Sequence, residues 1–237
     1  MIDYRYLLTI PNLFYGLNNT NISSEGIELT RNGCLKSNLK IEQQIIDLLE
    51  SRLYPRLEKS ESINNNRVHK TCLLNKDDLN IIKKSSIWNK IIKIASYGLK
   101  RTAFVSQASI TYLDSPNLTT EYGNQRWHHD NKGNQVKCMI LLTNNSKNGQ
   151  VTSYINKSHK FIRLGYDKNS RLNNKLVKTF LKKGAKTDLY GEKGEIYFIH
   201  TNGAHRGNCM ANSDERTLLT INFTPRFARR VKNELFH

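Results

Sequence analysis

A chain of 237 residues, 38% apolar and carrying a formal charge of +17, holds enough apolar content for one substantial core, which excludes a disordered segment. Its longest apolar runs, at 138–142 and 196–199, are far too short to span a bilayer. Charges also break up the first six residues, where a secretion signal would be apolar, so a cytoplasmic location without a membrane span is the default expectation. The positive excess suits an anionic partner, but the basic residues are dispersed, with only short clusters at Lys182-Lys183-Lys186 and Arg226-Arg229-Arg230-Lys232; a generic basic surface is preferred over a dedicated nucleic-acid footprint.

The first hundred residues read as a mainly helical flank. Ser37 or Asn38 is positioned to cap a helix with the apolar stripe Ile41, Ile45, Leu48, Leu49 and Leu53, limited by Pro55. The Asn-rich stretch Asn64–Asn66 reads as a loop. A second helix places Ile87, Trp88, Ile91, Ile92 and Ala95 on one face, with Gly98 as its stop. From about Ala103 the period falls to two: Gln107, Ser109 and Thr111 alternate with Ala108, Ile110 and Tyr112. Strands are also predicted over Gln135–Thr143, Gln150–Asn156, Glu195–His200 and Thr217–Thr224, while Asn174–Lys183 fits a short helix or a loop. The cysteines Cys34, Cys72, Cys138 and Cys209 form no CxxC pair, which leaves free thiols as the expectation. Many short strands behind a helical segment predict one domain of mixed α+β class. Its core is an antiparallel sandwich or barrel over about 101–230, with the helices of 1–100 packed on one side.

The chemistry concentrates in Arg126-Trp127-His128-His129-Asp130. In extended chain, His128 and Asp130 point the same way and His129 points opposite, outward or into a second sphere around the site. An imidazole and a carboxylate on one face are two thirds of the 2-His-1-carboxylate triad that holds iron(II) and leaves positions open. A His-x-Asp triplet arises by chance in roughly a quarter of chains of this size, so the partner decides. His205 supplies it, in the Gly-bounded turn Asn202-Gly203-Ala204-His205-Arg206-Gly207 after a strand-like run. Arg216, at the start of the next apolar strand, suits a bidentate grip on a carboxylate. Trp127 reads as packing, His159 as serving its turn, and His200 as either a core residue or a pocket wall. The polar face of Gln107, Ser109 and Thr111 fits a cavity wall or a solvent face equally. Lys137, inside an otherwise apolar strand, is a candidate to face co-substrate or substrate.

Over roughly residues 103–226 the chain resembles the phytanoyl-CoA dioxygenase-like branch of the iron(II)/2-oxoglutarate oxygenases. The resemblance rests on Trp127-His128-His129-Asp130, on Asn148-Gly149 leading to Ser158-His159-Lys160, and on Gly194-Glu195-Ile196-Tyr197-Phe198 before the His205 turn and Arg216. It implies a double-stranded β-helix (a cupin-like jelly roll). It also implies iron(II) on His128, Asp130 and His205, with 2-oxoglutarate and O2 as co-substrates and Arg216 anchoring the far carboxylate of 2-oxoglutarate. The family's Gly-Ser-His is Lys157-Ser158-His159 here, and the hydroxyl residue two positions beyond the arginine is Leu218, which leaves Thr220 as the substitute contact. Related halogenases put a small residue where Asp130 stands, so hydroxylation or a related oxidation of a small, possibly anionic or carrier-linked metabolite is expected, with release of succinate and CO2. Two alternatives stay open: an oxygenase acting on nucleic acid, motivated by the charge, and a non-catalytic basic binding protein on the same fold.

Overall fold

Two-residue alternation builds the core. The computed structural model describes residues 24–60, 68–114, 125–130, 134–160, 171–207 and 215–225. Its strands are β1 (Cys34–Lys40), β2 (Val68–Leu73), β3 (Ala103–Asp114), β4 (Val136–Leu141), β5 (Thr152–Ile155), β6 (Lys186–Leu189), β7 (Glu195–His200), β8 (His205–Gly207) and β9 (Arg216–Pro225). Among the described residues they form two antiparallel sheets, a main one ordered β1-β7-β4-β9-β3-β2 and a minor one ordered β6-β5-β8. From β4 to β9 the chain passes back and forth between the sheets, which gives a jelly roll.

Alternate residues of each strand serve different faces. On the outer face of the main sheet, Val136, Cys138, Ile140, Ile196, Phe198, Leu219, Ile221 and Phe223 join the main core. That core is closed by α1 (Ser24–Asn32), α2 (Gln43–Glu58), α3 (Lys76–Lys83) and α4 (Trp88–Leu99), which contribute Leu29, Leu49, Leu53, Ile82, Ile91 and Ile94. The opposite residues Met139, Leu141, Tyr197, Ile199 and Leu218 meet Tyr154 and Leu189 of the minor sheet inside the sandwich. Outside the minor sheet lies α5 (Asn174–Lys183), packing Val177 and Phe180 on Ile155, Leu172 and Ala204, with Trp127 at the margin. Among the described residues no helix is long and apolar enough to cross a membrane.

The sequence reading is corrected at several points. Residues 34–40 are an edge strand paired with β7 (Leu35 opposite Phe198, 163 residues on), not the start of a helix; a pairing partner so distant is invisible to local periodicity. The following helix therefore starts at Gln43, and its buried stripe is Ile46, Leu49, Leu53 and Leu57, while Leu48 is 45% exposed. It runs through Pro55 to Glu58, giving up one intrahelical bond, since the Pro55 nitrogen has no proton to donate. Gly98 is not a stop but lies inside α4, where a Cβ would stand 2.7 Å from the Leu29 side chain; the stop is Lys100, in left-handed conformation at φ 54°. Residues 174–183 are a helix, capped by the Asn173 side chain accepting from the Leu176 N–H. β2, β6 and β8 were not anticipated. Cys34, Cys72 and Cys138 are free thiols. Asn64–Asn66, Cys209 and the cluster from Arg226 lie outside the described residues.

One buried pair has a consequence for stability. The rings of His159 and His200 stack at 4.8 Å and 14°, with His159 Nε2 bonded to the Thr30 carbonyl at 3.1 Å. Burial holds His200 down to about 3 and His159 down to about 4, far below the usual histidine range. Both imidazoles are thus neutral in the fold but accept protons when it opens, so unfolding takes up protons below about pH 6.5. Stability is expected to fall by about 1.4 kcal/mol per imidazole for each pH unit between about 6 and 4.5, before carboxylates titrate. Urea unfolding at pH 7.5, 6.0 and 5.0 checks this, with His200→Leu expected to flatten the dependence; equal stability at all three pH values would contradict it.

Candidate metal centre

The two histidines singled out by the sequence are brought together by backbone pairing. His128 and His205 are directly opposed in an antiparallel bridge, with His128 N–H donating to the His205 carbonyl at 3.0 Å and His205 N–H to the His128 carbonyl at 2.8 Å. Residues so paired put their side chains on one face, and the ring centroids lie 4.3 Å apart. Asp130, two residues on, is tied by its N–H to the Thr201 carbonyl at 2.7 Å and turns its Oδ1 to 3.6 Å from His205 Nε2 and 3.9 Å from His128 Nε2. The three ligand atoms all lie within 4.8 Å of one another.

The imidazoles are held in the tautomer that ligation needs. His128 Nδ1 stands 2.8 Å from the Arg126 carbonyl and His205 Nδ1 stands 2.9 Å from the Gly203 carbonyl. A carbonyl only accepts, so both Nδ1 atoms carry the proton and both Nε2 lone pairs face the centre. In each case the carbonyl belongs to the residue two positions earlier, a local device that depends on the bend of the chain. For His205 that bend requires Gly203, since a Cβ there would lie 1.9 Å from the Tyr154 hydroxyl. Ser158 supports the same turn: its Oγ donates to the Ile155 carbonyl at 2.6 Å and accepts from Ala204 N–H at 2.8 Å.

The electrostatics agree with a cation site. Burial, aided by the facing His205, pushes His128 down to about 3, so it stays a neutral donor at ordinary pH. For Asp130 burial works to raise the carboxyl, but the Lys137 ammonium outweighs it and holds it well below the usual carboxylate range. Two imidazoles and one carboxylate, borderline nitrogen and hard oxygen on one face, fit a divalent first-row metal and specifically the iron(II) facial set.

The other predicted residues are placed as follows. Lys137 does enter this region, but its Nζ donates to Asp130 Oδ2 at 2.9 Å. Arg216 is buried on the inner face of β9, away from the triad, and its Nη1 donates to Thr152 Oγ1 at 3.0 Å. Thr220 shares that face and is buried between them. His129, expected outward or in a second sphere, is completely buried. His200 is a core residue against His159, and Trp127 packs beneath the Arg206 guanidinium at 4.9 Å. The sequence reading missed Thr152 and the carbonyls of Arg126 and Gly203; only the short spacing of Gly203 before His205 was a visible signal.

No family model and no curated protein sequence matches the chain, but solved structures do. The epimerase SnoN in complex with Fe3+, alpha ketoglutarate and nogalamycin RO superposes with TM-score 0.66 at 9% identity, covering 90% of this chain and 91% of that one. EctD from S. alaskensis, with 2-oxoglutarate and 5-hydroxyectoine, gives TM-score 0.64 at 13% identity, covering 93% and 82%. The non-heme alpha ketoglutarate dependent carbocyclase SnoK from nogalamycin biosynthesis gives 0.61 at 13%, covering 86% and 85%. At such identities the likeness is one of fold: this chain is a jelly roll of the kind on which 2-oxoglutarate-dependent non-haem enzymes are built.

Proposed function

We propose that this protein is an iron(II)- and 2-oxoglutarate-dependent oxygenase, of the phytanoyl-CoA dioxygenase-like branch, that oxidises a C–H bond of a small molecule with release of succinate and CO2. The observation that carries this is the facing pair His128 and His205, each tied through Nδ1 to a backbone carbonyl, converging with Asp130. These three hold the iron. Arg216 anchors the far carboxylate of 2-oxoglutarate from further down the sandwich, with Thr220 between it and the triad, and Lys137 bears on the same chamber. Iron with 2-oxoglutarate and O2 supplies an oxidant strong enough to take hydrogen from an unactivated C–H bond.

The chain's own share is positioning. The Nδ1 bonds to the Arg126 and Gly203 carbonyls keep the two imidazoles from rotating, and Lys137 holds the second oxygen of Asp130, so the carboxylate would present Oδ1 to the metal. The apolar surfaces of Met139, Leu141, Tyr197 and Leu218 keep water from the sandwich interior. Asp130 fills the position that a halogenase leaves to chloride, which makes hydroxylation or a related oxidation the preferred outcome. The solved relatives that bind small molecules support a small substrate over nucleic acid.

The test needs no substrate. Under anaerobic conditions, iron(II) and 2-oxoglutarate added together to metal-free protein are expected to give the weak visible charge-transfer band of a chelated keto acid, absent with either alone. Well-folded protein that gives no band would rule the proposal out and leave a non-catalytic jelly roll.

A further inference from the structure

The inner face of the main sheet carries a polar row at the metal end. Strand pairing puts Gln107 of β3 opposite Asn222 of β9, and Asn222 opposite Lys137 of β4; the row continues through Ile199 of β7 to Cys34 of β1. Residues paired across antiparallel strands share a face. Lys137 reaches Asp130, so this row looks toward the metal triad. The next row toward Arg216 is Ser109, Thr220 and Met139, and the one after it is Thr111, Leu218 and Leu141. Arg216 and Asn222 thus stand at opposite ends of β9, about 20 Å apart along the strand.

Asn222 is 7% exposed, and its Oδ1 has no hydrogen-bond partner among the described residues. Folds rarely bury an amide oxygen without a donor, because desolvation is then uncompensated. The charge on this row is already used: Lys137 is paired with Asp130, and Arg216 lies at the far end. What remains in this row, Gln107 and Asn222, is uncharged and hydrogen-bonding.

Resting on the oxygenase reading, we propose that Asn222 is the residue that docks the substrate, and that the substrate is a small uncharged polyhydroxy compound. One of its hydroxyls donates to Asn222 Oδ1, and Gln107 supplies a second amide in the same row. A hydroxyl serves either orientation of the Asn222 amide, since it both donates and accepts. A buried site built around such a bond rejects analogues that lack the hydroxyl, because they leave the amide unpaired.

The experiment uses the iron-loaded protein and begins with the 2-oxoglutarate band. A missing band in the wild type defeats the oxygenase reading, and this inference with it, before any compound is added. With the band present, succinate formation is measured against three sets of compounds: neutral monosaccharides and cyclitols, hydroxy acids and sugar phosphates, and aliphatic acids and acyl thioesters. Stimulation concentrated in the neutral hydroxylated set is expected, with Asn222→Val raising KM for the stimulating compound at least tenfold while the 2-oxoglutarate midpoint of the band moves less than twofold. Should Asn222→Val not fold, Gln107→Leu carries the same comparison. The proposal is overturned by no stimulation from the neutral set, or by stimulation confined to the anionic or aliphatic sets. An unchanged KM overturns it too, since Oδ1 then holds a buried water only. So does a band weakened as much as in Arg216→Ala, which would make Asn222 part of the co-substrate site.

Discussion

Replacing His205 with alanine is expected to lower cobalt(II) affinity by more than about 100-fold, beyond the 10–100-fold typical of losing a group behind a metal ligand. The reason is geometric. His205 and His128 share a backbone bridge, and no other described imidazole or carboxylate lies in the cluster to replace either one. The metal-free His205→Ala protein should melt close to the wild type, because the Lys137–Asp130 pair survives. Asp130→Ala should lose metal to a similar degree but also lose stability in the metal-free state, since it leaves Lys137, only 21% exposed at its side chain, without its carboxylate. Calorimetric titration with cobalt(II), together with melting curves with and without metal, reads both effects. Wild-type protein at 100 times Kd should gain about 2.7 kcal/mol from the metal, and His205→Ala at the same concentration less than about 0.4 kcal/mol. An undiminished gain in His205→Ala would place the metal elsewhere.

Arg216→Ala is expected to raise the 2-oxoglutarate concentration at half-maximal band intensity by at least about 30-fold, while cobalt(II) affinity stays as in the wild type. Truncating one partner of a buried, hydrogen-bonded charge pair costs about 2 kcal/mol or more, and about 1.4 kcal/mol is a factor of ten. Arg216 is 7% exposed and bonds Thr152 Oγ1 from the inner face of β9, so the guanidinium is already desolvated and pointed across the sandwich. Arg216→Lys should fall between the two, because an ammonium keeps the charge but loses the two-pronged geometry. Titration of iron-loaded protein with 2-oxoglutarate measures all three. Equal midpoints in wild type and Arg216→Ala would reduce the arginine to a tie between the sheets.

The sequence by itself determined the parts of this protein whose signal is local. A two-residue period over 107–112, and apolar runs bounded by turn residues over Gln135–Thr143, Glu195–His200 and Thr217–Thr224, identified four of the main-sheet strands, because a strand with one face on the helices and one in the sandwich is buried on both sides and reads as a short apolar run. The candidate metal triad was legible from local signals as well. His128 and Asp130 share a face two residues apart, and Asn202-Gly203-Ala204-His205 announces a tight turn through its glycine. Only the tertiary structure decided the rest. Residues 34–40 became a strand because β7 stands beside them, and β2 because its partner is β3. His129 and His200 proved to be buried, since burial depends on what is packed over them and not on their neighbours in the chain. The row Gln107–Asn222–Lys137 arises from register across three strands distant in sequence. Register is a property of the assembled sheet, and no local periodicity encodes it.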